Sequence, residues 1–228
     1  MKAFLHPSIA LGWVDTVLAR DLTAPVEPGS VHARVTVETV PPDAPISHLR
    51  ELPDPRLESV LQARRRRGDV CVLARQGKRI VAFAWLARGP WRLRDAGLEL
   101  RINPNEVIVY DFFTASEYRG QGIMQHVIRR IAEVAKAQGH RRLYARAERA
   151  NAGSIAAMER VRFVQLASIA TLRVLRLFSI HTIDIAEDEE TFYEHARRHL
   201  RAMRPGVLRW RRSGRTGVRF YLPTHAGD

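Results

Sequence analysis

The sequence predicts an α/β fold in which antiparallel and parallel strand pairs share one sheet, and three stretches carry that reading. Residues 69–88 hold two apolar runs around Gln76-Gly77-Lys78, a hairpin with glycine where a tight turn needs positive φ. Residues 105–149 run as apolar strand, amphipathic helix and further strand, the succession that favours parallel pairing. Residues 163–185 are long, apolar and β-branched, and read as one bent strand or two.

The remaining elements follow in chain order. Residues 8–22 (SIALGWVDTVLARDL) place apolar groups at helical spacing until Pro25, Pro28 and Gly29 break the pattern, which predicts a leading helix. HARVTVETV (32–40) alternates apolar with polar residues and predicts a half-buried strand stopped by Pro41 and Pro42. From Ile46 to Arg67 the pattern is helical but interrupted at Pro53 and Pro55, so one or two helices end in Arg64-Arg65-Arg66-Arg67 before Gly68. Those arginines read as a solvated helix end, favourable at the negative pole of the helix dipole, with a nucleic-acid contact as the alternative. A polar stretch, 89–105, leads to NEVIVYDFFTAS (105–116), whose apolar centre marks a central strand. GIMQHVIRRIAEVAKAQG (122–139) is an amphipathic helix ended by Gly139, RRLYARAER (141–149) a strand, and NAGSIAAMERV (151–161) a helix with an asparagine N-cap. Glu187 to Glu190 open a helix running to about Met203, and Val218, Phe220 and Leu222 suggest a terminal strand before a frayed 224–228.

Composition narrows the function classes. At 228 residues, 46% hydrophobic and 27% charged, the chain can bury a core and is neither disordered nor fibrous by composition. The net charge of +13 rests on arginine, since Lys2, Lys78 and Lys136 are the only lysines. Such a balance attracts polyanions, whether nucleic acid or a phosphate-bearing nucleotide cofactor, and coding bias is the plain alternative. Cys71 is the single cysteine, which excludes an intramolecular disulfide and a thiolate metal site; a cytoplasmic, reducing setting is expected. Nine histidines lack metal-ligand spacing, so no metal is assigned, and no run reaches the roughly 18 apolar residues of a spanning helix.

Chemistry concentrates at Glu117-Tyr118-Arg119-Gly120-Gln121-Gly122-Ile123-Met124, between the apolar strand and the amphipathic helix. A glycine-bearing turn opening a helix leaves backbone N–H groups without intrahelical partners, pointing one way, with the dipole adding positive charge. Phosphate fits such a nest, and Arg119 adds a full charge; alternatively Gly120 and Gly122 only shape a tight turn. The spacing is neither a dinucleotide fingerprint nor a P-loop.

This stretch resembles the pyrophosphate-binding motif of the GNAT superfamily of N-acetyltransferases: arginine or glutamine, two residues, glycine, one residue, glycine or alanine. Arg119, Gly122 and Met124 occupy those positions, Met124 departing from the usual small residue. Downstream, Asn151-Ala152-Gly153-Ser154 through Met158 to Val161-Arg162-Phe163 is similar to the family's asparagine-led helix ending in Gly-Phe. The resemblance implies a mixed, mostly antiparallel sheet with a central parallel strand pair splayed for the cofactor and helices on both faces. It implies an N-terminal helical extension over 1–30, an acyltransferase domain over 31–180 and a C-terminal helix and strand extension over 181–228. Acetyl-CoA, or another acyl-CoA, would be the co-substrate. Phe112 and Thr114 would pair with its pantetheine arm, Arg119, Gly120, Gln121, Gly122, Ile123 and Met124 would hold its pyrophosphate, and Asn151 and Ser154 would meet it from the next helix. Asn151 is equally a plain N-cap.

The implied reaction is acyl transfer to an amine of a small molecule or peptide, which needs a neutral amine, a stabilised oxyanion and a reprotonated thiolate. Glu106 or Asp111 acting through water, or a proton wire through Tyr110, would take the amine proton, and Asp111 as a structural acceptor for the loop is the alternative. Met158 stands where the family often has a thiolate-protonating tyrosine, leaving Tyr144, His126 or water. Two readings compete with an active enzyme. One is a catalytically silent module that binds cofactor or partner, and the other a nucleic-acid binder, for which arginines are present but no docking motif. A homodimer is compatible with either GNAT-type reading.

Overall fold

The computed structural model describes residues 10–25, 35–45, 47–52, 58–93, 97–174, 178–186, 189–202, 206–212 and 215–221. The strands are β1 (Ala10–Asp21), β2 (Thr36–Val40), β3 (Val70–Gln76), β4 (Arg79–Ala87), β5 (Trp91–Leu93), β6 (Leu98–Leu100), β7 (Glu106–Thr114), β8 (Arg142–Glu148), β9 (Val164–Val174), β10 (Phe178–Ile185), β11 (Leu200–Ala202), β12 (Gly206–Arg212) and β13 (Arg215–Tyr221). The helices are α1 (Ser47–Arg50), α2 (Glu58–Arg66), α3 (Ile123–Ala137), α4 (Ala152–Glu159) and α5 (Glu190–His199). Ten strands form one sheet in the order β13-β12-β10-β9-β1-β8-β7-β4-β3-β2, and β11, β6 and β5 form a second, small sheet. Among the described residues, only β7–β8 and β10–β12 pair in parallel within the large sheet. The expected mixed, mostly antiparallel architecture is therefore present.

The helix expected over 8–22 is instead β1, which lies between β8 and β9 and pairs antiparallel with both. The reason is burial on both faces. Leu18 and Leu22 pack on one side with α3 and α4, whereas Val17 and Ala19 pack on the other with α5 and the small sheet. A strand buried on two faces loses its apolar alternation, so Val14, Val17 and Leu18 mimic helical spacing. The stretch 89–105 holds β5 and β6, too short for periodicity to reveal, and β12 also went unpredicted. Residues 163–185 resolve into two strands, β9 and β10. The helix expected from 187 to 203 is shorter, and its last turn gives way to β11, paired with β6. Residues 224–228 lie outside the described residues.

Three apolar clusters fill the structure. One lies between the sheet and the buried stripe of α3, Ile123, Val127, Ile128, Ile131, Ala132 and Ala135. A second lies under α5 and the small sheet, and a third includes Leu49 and Leu61 of α1 and α2 over β3 and β4. Each fully buried Leu, Ile or Phe contributes about 1.5–3 kcal/mol relative to exposure, which fixes the helices against the sheet. Cys71 is wholly buried, and burial pushes its thiol up to about 12, so it is not a nucleophile. No helix among the described residues is long and apolar enough to cross a membrane.

The parallel contact between β10 and β12 depends on a glycine, because a Cβ at Gly206 would stand 2.0 Å from the Ser179 carbonyl oxygen. Gly206→Ala is expected to lower stability by about 1–3 kcal/mol in urea unfolding, as β12 is forced off its neighbour. An unchanged midpoint would show that β12 is not seated as described.

Candidate functional site

β7 and β8 are hydrogen-bonded only at Glu106↔Arg142, Val107↔Leu143 and Ile108↔Tyr144. Beyond these pairs β8 stays with β1 as far as Glu148, while β7 stays with β4 as far as Thr114. The facing edges part, and main-chain groups there lack the partner a sheet normally supplies. The gap leads into a cleft of about 530 Å³ whose β7 wall is Phe112, Phe113 and Thr114. β7 also bulges: Phe113 pairs with Phe83 and Tyr110 with Trp85, so Asp111 and Phe112 together oppose Ala84. Asp111 takes φ of 61°, the left-handed region that a non-glycine residue rarely occupies.

The floor of the cleft is the turn into α3. Gly120 and Gly122 have φ of 76° and 75°, and Gly122 caps the helix with no side-chain acceptor. Among the described residues, no protein acceptor takes the N–H groups of Gly120 to Met124, whereas Gln125 N–H donates to the Gly122 carbonyl. Arg119, exposed at the mouth, is steered by its Nε bond to the Thr114 carbonyl at 3.2 Å. Arg119, Gly120, Gly122, Ile123 and Met124 all line the cleft. Gln121 does not; its amide turns back to the Glu117 carbonyl at 2.9 Å.

The opposite wall is α4. Asn151 Oδ1 accepts from Ser154 N–H at 3.1 Å, so Asn151 caps the helix, and both residues also line the cleft. Met158 is buried within the same wall. The helix ends with Phe163 N–H donating to the Met158 carbonyl and Arg162 at φ of 65°. Arg162 thus adopts the left-handed conformation for which glycine is the usual residue.

The three residues expected to handle protons sit outside the cleft lining. Glu106 lies at the closed end of the strand pair, its carboxylate accepting from the Tyr144 hydroxyl at 3.0 Å and from Asn103 N–H at 2.8 Å. Ile108, buried between Glu106 and Tyr110 on the same strand face, separates it from the bulge. Tyr144 is committed to Glu106 and stacked between Trp91 and Phe192; burial and the Glu106 charge push its hydroxyl pKa up. Tyr110 donates to Asp69 Oδ2 at 2.7 Å and accepts from Arg67 at 3.3 Å. Burial pushes the Tyr110 hydroxyl pKa well up, with Arg64 opposing, so it stays protonated.

Asp111 is ion-paired with Arg64 at 2.5 Å, and Arg64 is only 5% exposed. Its guanidinium lies 4.7 Å from the Trp85 ring centre and 5.2 Å from that of Tyr110. Arg64 is therefore no solvated helix end; α2 packs it under the sheet, where it holds the carboxylate of the strained bulge residue. Asp69, which sequence reasoning missed, joins the cluster: its Oδ1, Arg64 Nη1 and Trp85 Nε1 are buried with no acceptor or donor among the described residues. Its only sequence signal is a carboxylate directly after a glycine helix stop.

This combination offers main-chain donors for an anion, an open strand edge for an extended ligand arm, and a neighbouring polar cluster able to hold protons. Residues 37–163, just over half of the chain, match the Acetyltransferase (GNAT) family. No curated protein matches the chain in sequence. Among solved structures, IAA acetyltransferase from Bacillus cereus ATCC 14579 is similar at 20% identity and a TM-score of 0.41, over 55% of this chain and 74% of that one. A GNAT-family protein from Novosphingobium aromaticivorans DSM 12444 is 22% identical over 72% of this chain and 66% of its own, with a TM-score of 0.45. Aminoglycoside 6'-N-acetyltransferase AAC(6')-Ih from Acinetobacter baumannii is 19% identical over 57% and 91%, with a TM-score of 0.42.

Removing one partner of a buried ion pair leaves the other charge uncompensated. Arg64→Met should therefore destabilise the protein by about 3–5 kcal/mol in urea unfolding, and Arg64→Lys, which keeps charge but not the planar fork, should recover only part of that. A loss below about 1 kcal/mol for Arg64→Met would make the pair incidental.

Proposed function

Because the chain belongs to the acetyltransferase (GNAT) family, we propose that it transfers an acyl group, acetyl in the simplest case, from a coenzyme A thioester to the amine of a small molecule or peptide. The observation that carries the proposal is the run of unengaged main-chain donors from Gly120 to Met124, facing a cleft between parted strands. Both are what a diphosphate followed by a long amide-bearing arm requires. Arg119 and those amides hold the diphosphate, the main chain at Phe112 and Thr114 pairs with the arm, and Asn151 and Ser154 close the cleft from α4. When bound, the thioester supplies an activated acyl carbon open to attack by an amine.

The protein's own contribution begins at the bulge. By pushing one extra residue into β7, it bends the strand so that main-chain N–H groups of its edge lie beside the acyl position, where they stabilise the negative charge that develops on the acyl oxygen. The amine proton passes to the Tyr110 hydroxyl oxygen as the Tyr110 proton moves to Asp69 Oδ2, along the hydrogen bond of 2.7 Å. Arg67, donating to both groups, limits the charge that accumulates on either. Asp111, held by Arg64, serves the shape of the bulge. The thiolate takes a proton from solvent water, since Met158 has none to give, and the amine proton held on Asp69 returns to solvent through Tyr110, which closes the balance.

A second reading has its own observation. Met158 occupies the cleft wall, and Tyr118, whose ring also lines the cleft, gives its hydroxyl to Gln76 at 2.6 Å. A module that binds the cofactor without turning it over would have these features.

Calorimetric titration with acetyl-CoA separates the readings when followed by a free-thiol assay over an amine panel. The acyltransferase reading expects binding, thiol release with at least one amine, and about tenfold weaker binding for Arg119→Ala. Binding without release for every amine would leave the silent module, and no binding would remove both.

A further inference from the structure

A second cavity, of about 480 Å³, opens at the other end of β7 and shares no lining residue with the cleft. Three separate chain segments bring cationic or titratable groups to it. Arg88 follows β4, Arg101 follows β6, and His195 and His199 stand one turn apart on α5. These groups are held in place. Arg88 is steered by a bond from Nη2 to Gln138 Oε1 at 3.1 Å, which leaves the rest of its fork to the cavity. His195 Nε2 donates to the Arg101 carbonyl at 2.5 Å, and Arg101 N–H in turn meets the His199 carbonyl, tying the end of α5 to the segment before β7. The two imidazoles lie with ring centres 4.6 Å apart.

The carboxylate at the cavity, Glu106, is already engaged by the Tyr144 hydroxyl and Asn103 N–H, so it is turned toward protein donors. What faces an incoming ligand is thus the forks of Arg88 and Arg101 and the His199 ring, while His195, whose Nε2–H is spent on the Arg101 carbonyl, adds Nδ1 as a donor only when protonated. A planar carboxylate accepts in its own plane, whereas a tetrahedral dianion presents acceptor oxygens to donors arriving from several directions. The volume exceeds that of the bare ion and leaves room for a small organic part.

We propose that this cavity is a phosphate-recognising site, distinct from the cofactor cleft, in which Arg88, Arg101, His195 and His199 bind the dianion of a phosphate-bearing small molecule. The site does not depend on the acyltransferase reading. It also predicts a direction of pH dependence. His199 is pushed below its ordinary value by burial and by the charges of His195, Arg101, Arg198 and Arg201. The other groups nearby are Arg88, Glu106, and His140, which is bonded to the main chain at Pro104 and pushed down by burial and by Arg88. A bound dianion offsets the repulsion that lowers the proton affinity of His199, so binding favours its protonation and tightens as pH falls.

The test uses the whole chain and three probes: inorganic phosphate, sulfate as a tetrahedral dianion of constant charge near neutrality, and succinate. Calorimetry is read alongside the histidine ring resonances. Phosphate and sulfate should bind and shift the His195 and His199 signals, and sulfate should bind several-fold tighter near pH 6 than near pH 8. Arg88→Gln with Arg101→Gln should weaken the binding that shifts the two ring signals by about tenfold or more, while Arg119→Gln, in the cleft, should leave the binding read at those rings unchanged. His199→Gln should flatten the pH response. The proposal fails if the two ring signals do not move, if Arg119→Gln alone abolishes binding, or if succinate binds as tightly as phosphate.

Discussion

Everything at the candidate site depends on two parallel strands that stop pairing after three residues each. Main-chain donors and acceptors inside a protein are almost always satisfied, and an open gap in the middle of a ten-stranded sheet is costly unless something fills it. β1 and β4 secure the outer edges of β8 and β7, so neither strand can slide across to close the gap. The bulge at Asp111 and Phe112 adds curvature on one side, and the glycine turn into α3 presents bare amides at the end of the opening. The sheet thus opens at its centre into the cleft, with main-chain amides at one end of the opening.

The electrostatics around the cleft separate into two environments. The cleft is lined by two exposed arginines, Arg119 and Arg160, and has amides at its floor, suited to binding a charged group that remains solvated. Under the sheet, Arg64, Arg67, Asp69, Tyr110 and Asp111 form a compact cluster in which charges compensate, with Arg64 buried against the Trp85 and Tyr110 rings and Arg67 half exposed. Asp111 carries backbone strain there, and such strain persists only where surrounding structure over-determines it. Arg64, clamped between two rings and a carboxylate, supplies that constraint.

Much of this was legible in the sequence, and what was not has identifiable causes. The hairpin at Gly77, the amphipathic stripe of α3 and the asparagine cap of α4 are local signals, and each stands where its residues placed it. The cleft gathers every residue expected to meet the cofactor except Gln121, whose side chain turns back on its own loop. β1 was misread because burial on both faces erases the period of two on which strand recognition relies. In a run of four arginines each position looks alike, and only the packing of α2 singles out Arg64. Arg162 marks a conformational demand that glycine normally signals, met here by a residue that gives no such signal. Glu106 and Tyr110 are neighbours in sequence, yet Ile108 and the Tyr144 ring keep Glu106 at the closed end of the pair.

A crystal structure of the protein with coenzyme A tests the central claim most directly. The account predicts the diphosphate within hydrogen-bond reach of the N–H groups of residues 120–124, with the pantetheine arm lying along β7 at Phe112 and Thr114. A complex that places the diphosphate elsewhere, or shows β7 and β8 zipped together beyond Ile108, would contradict it.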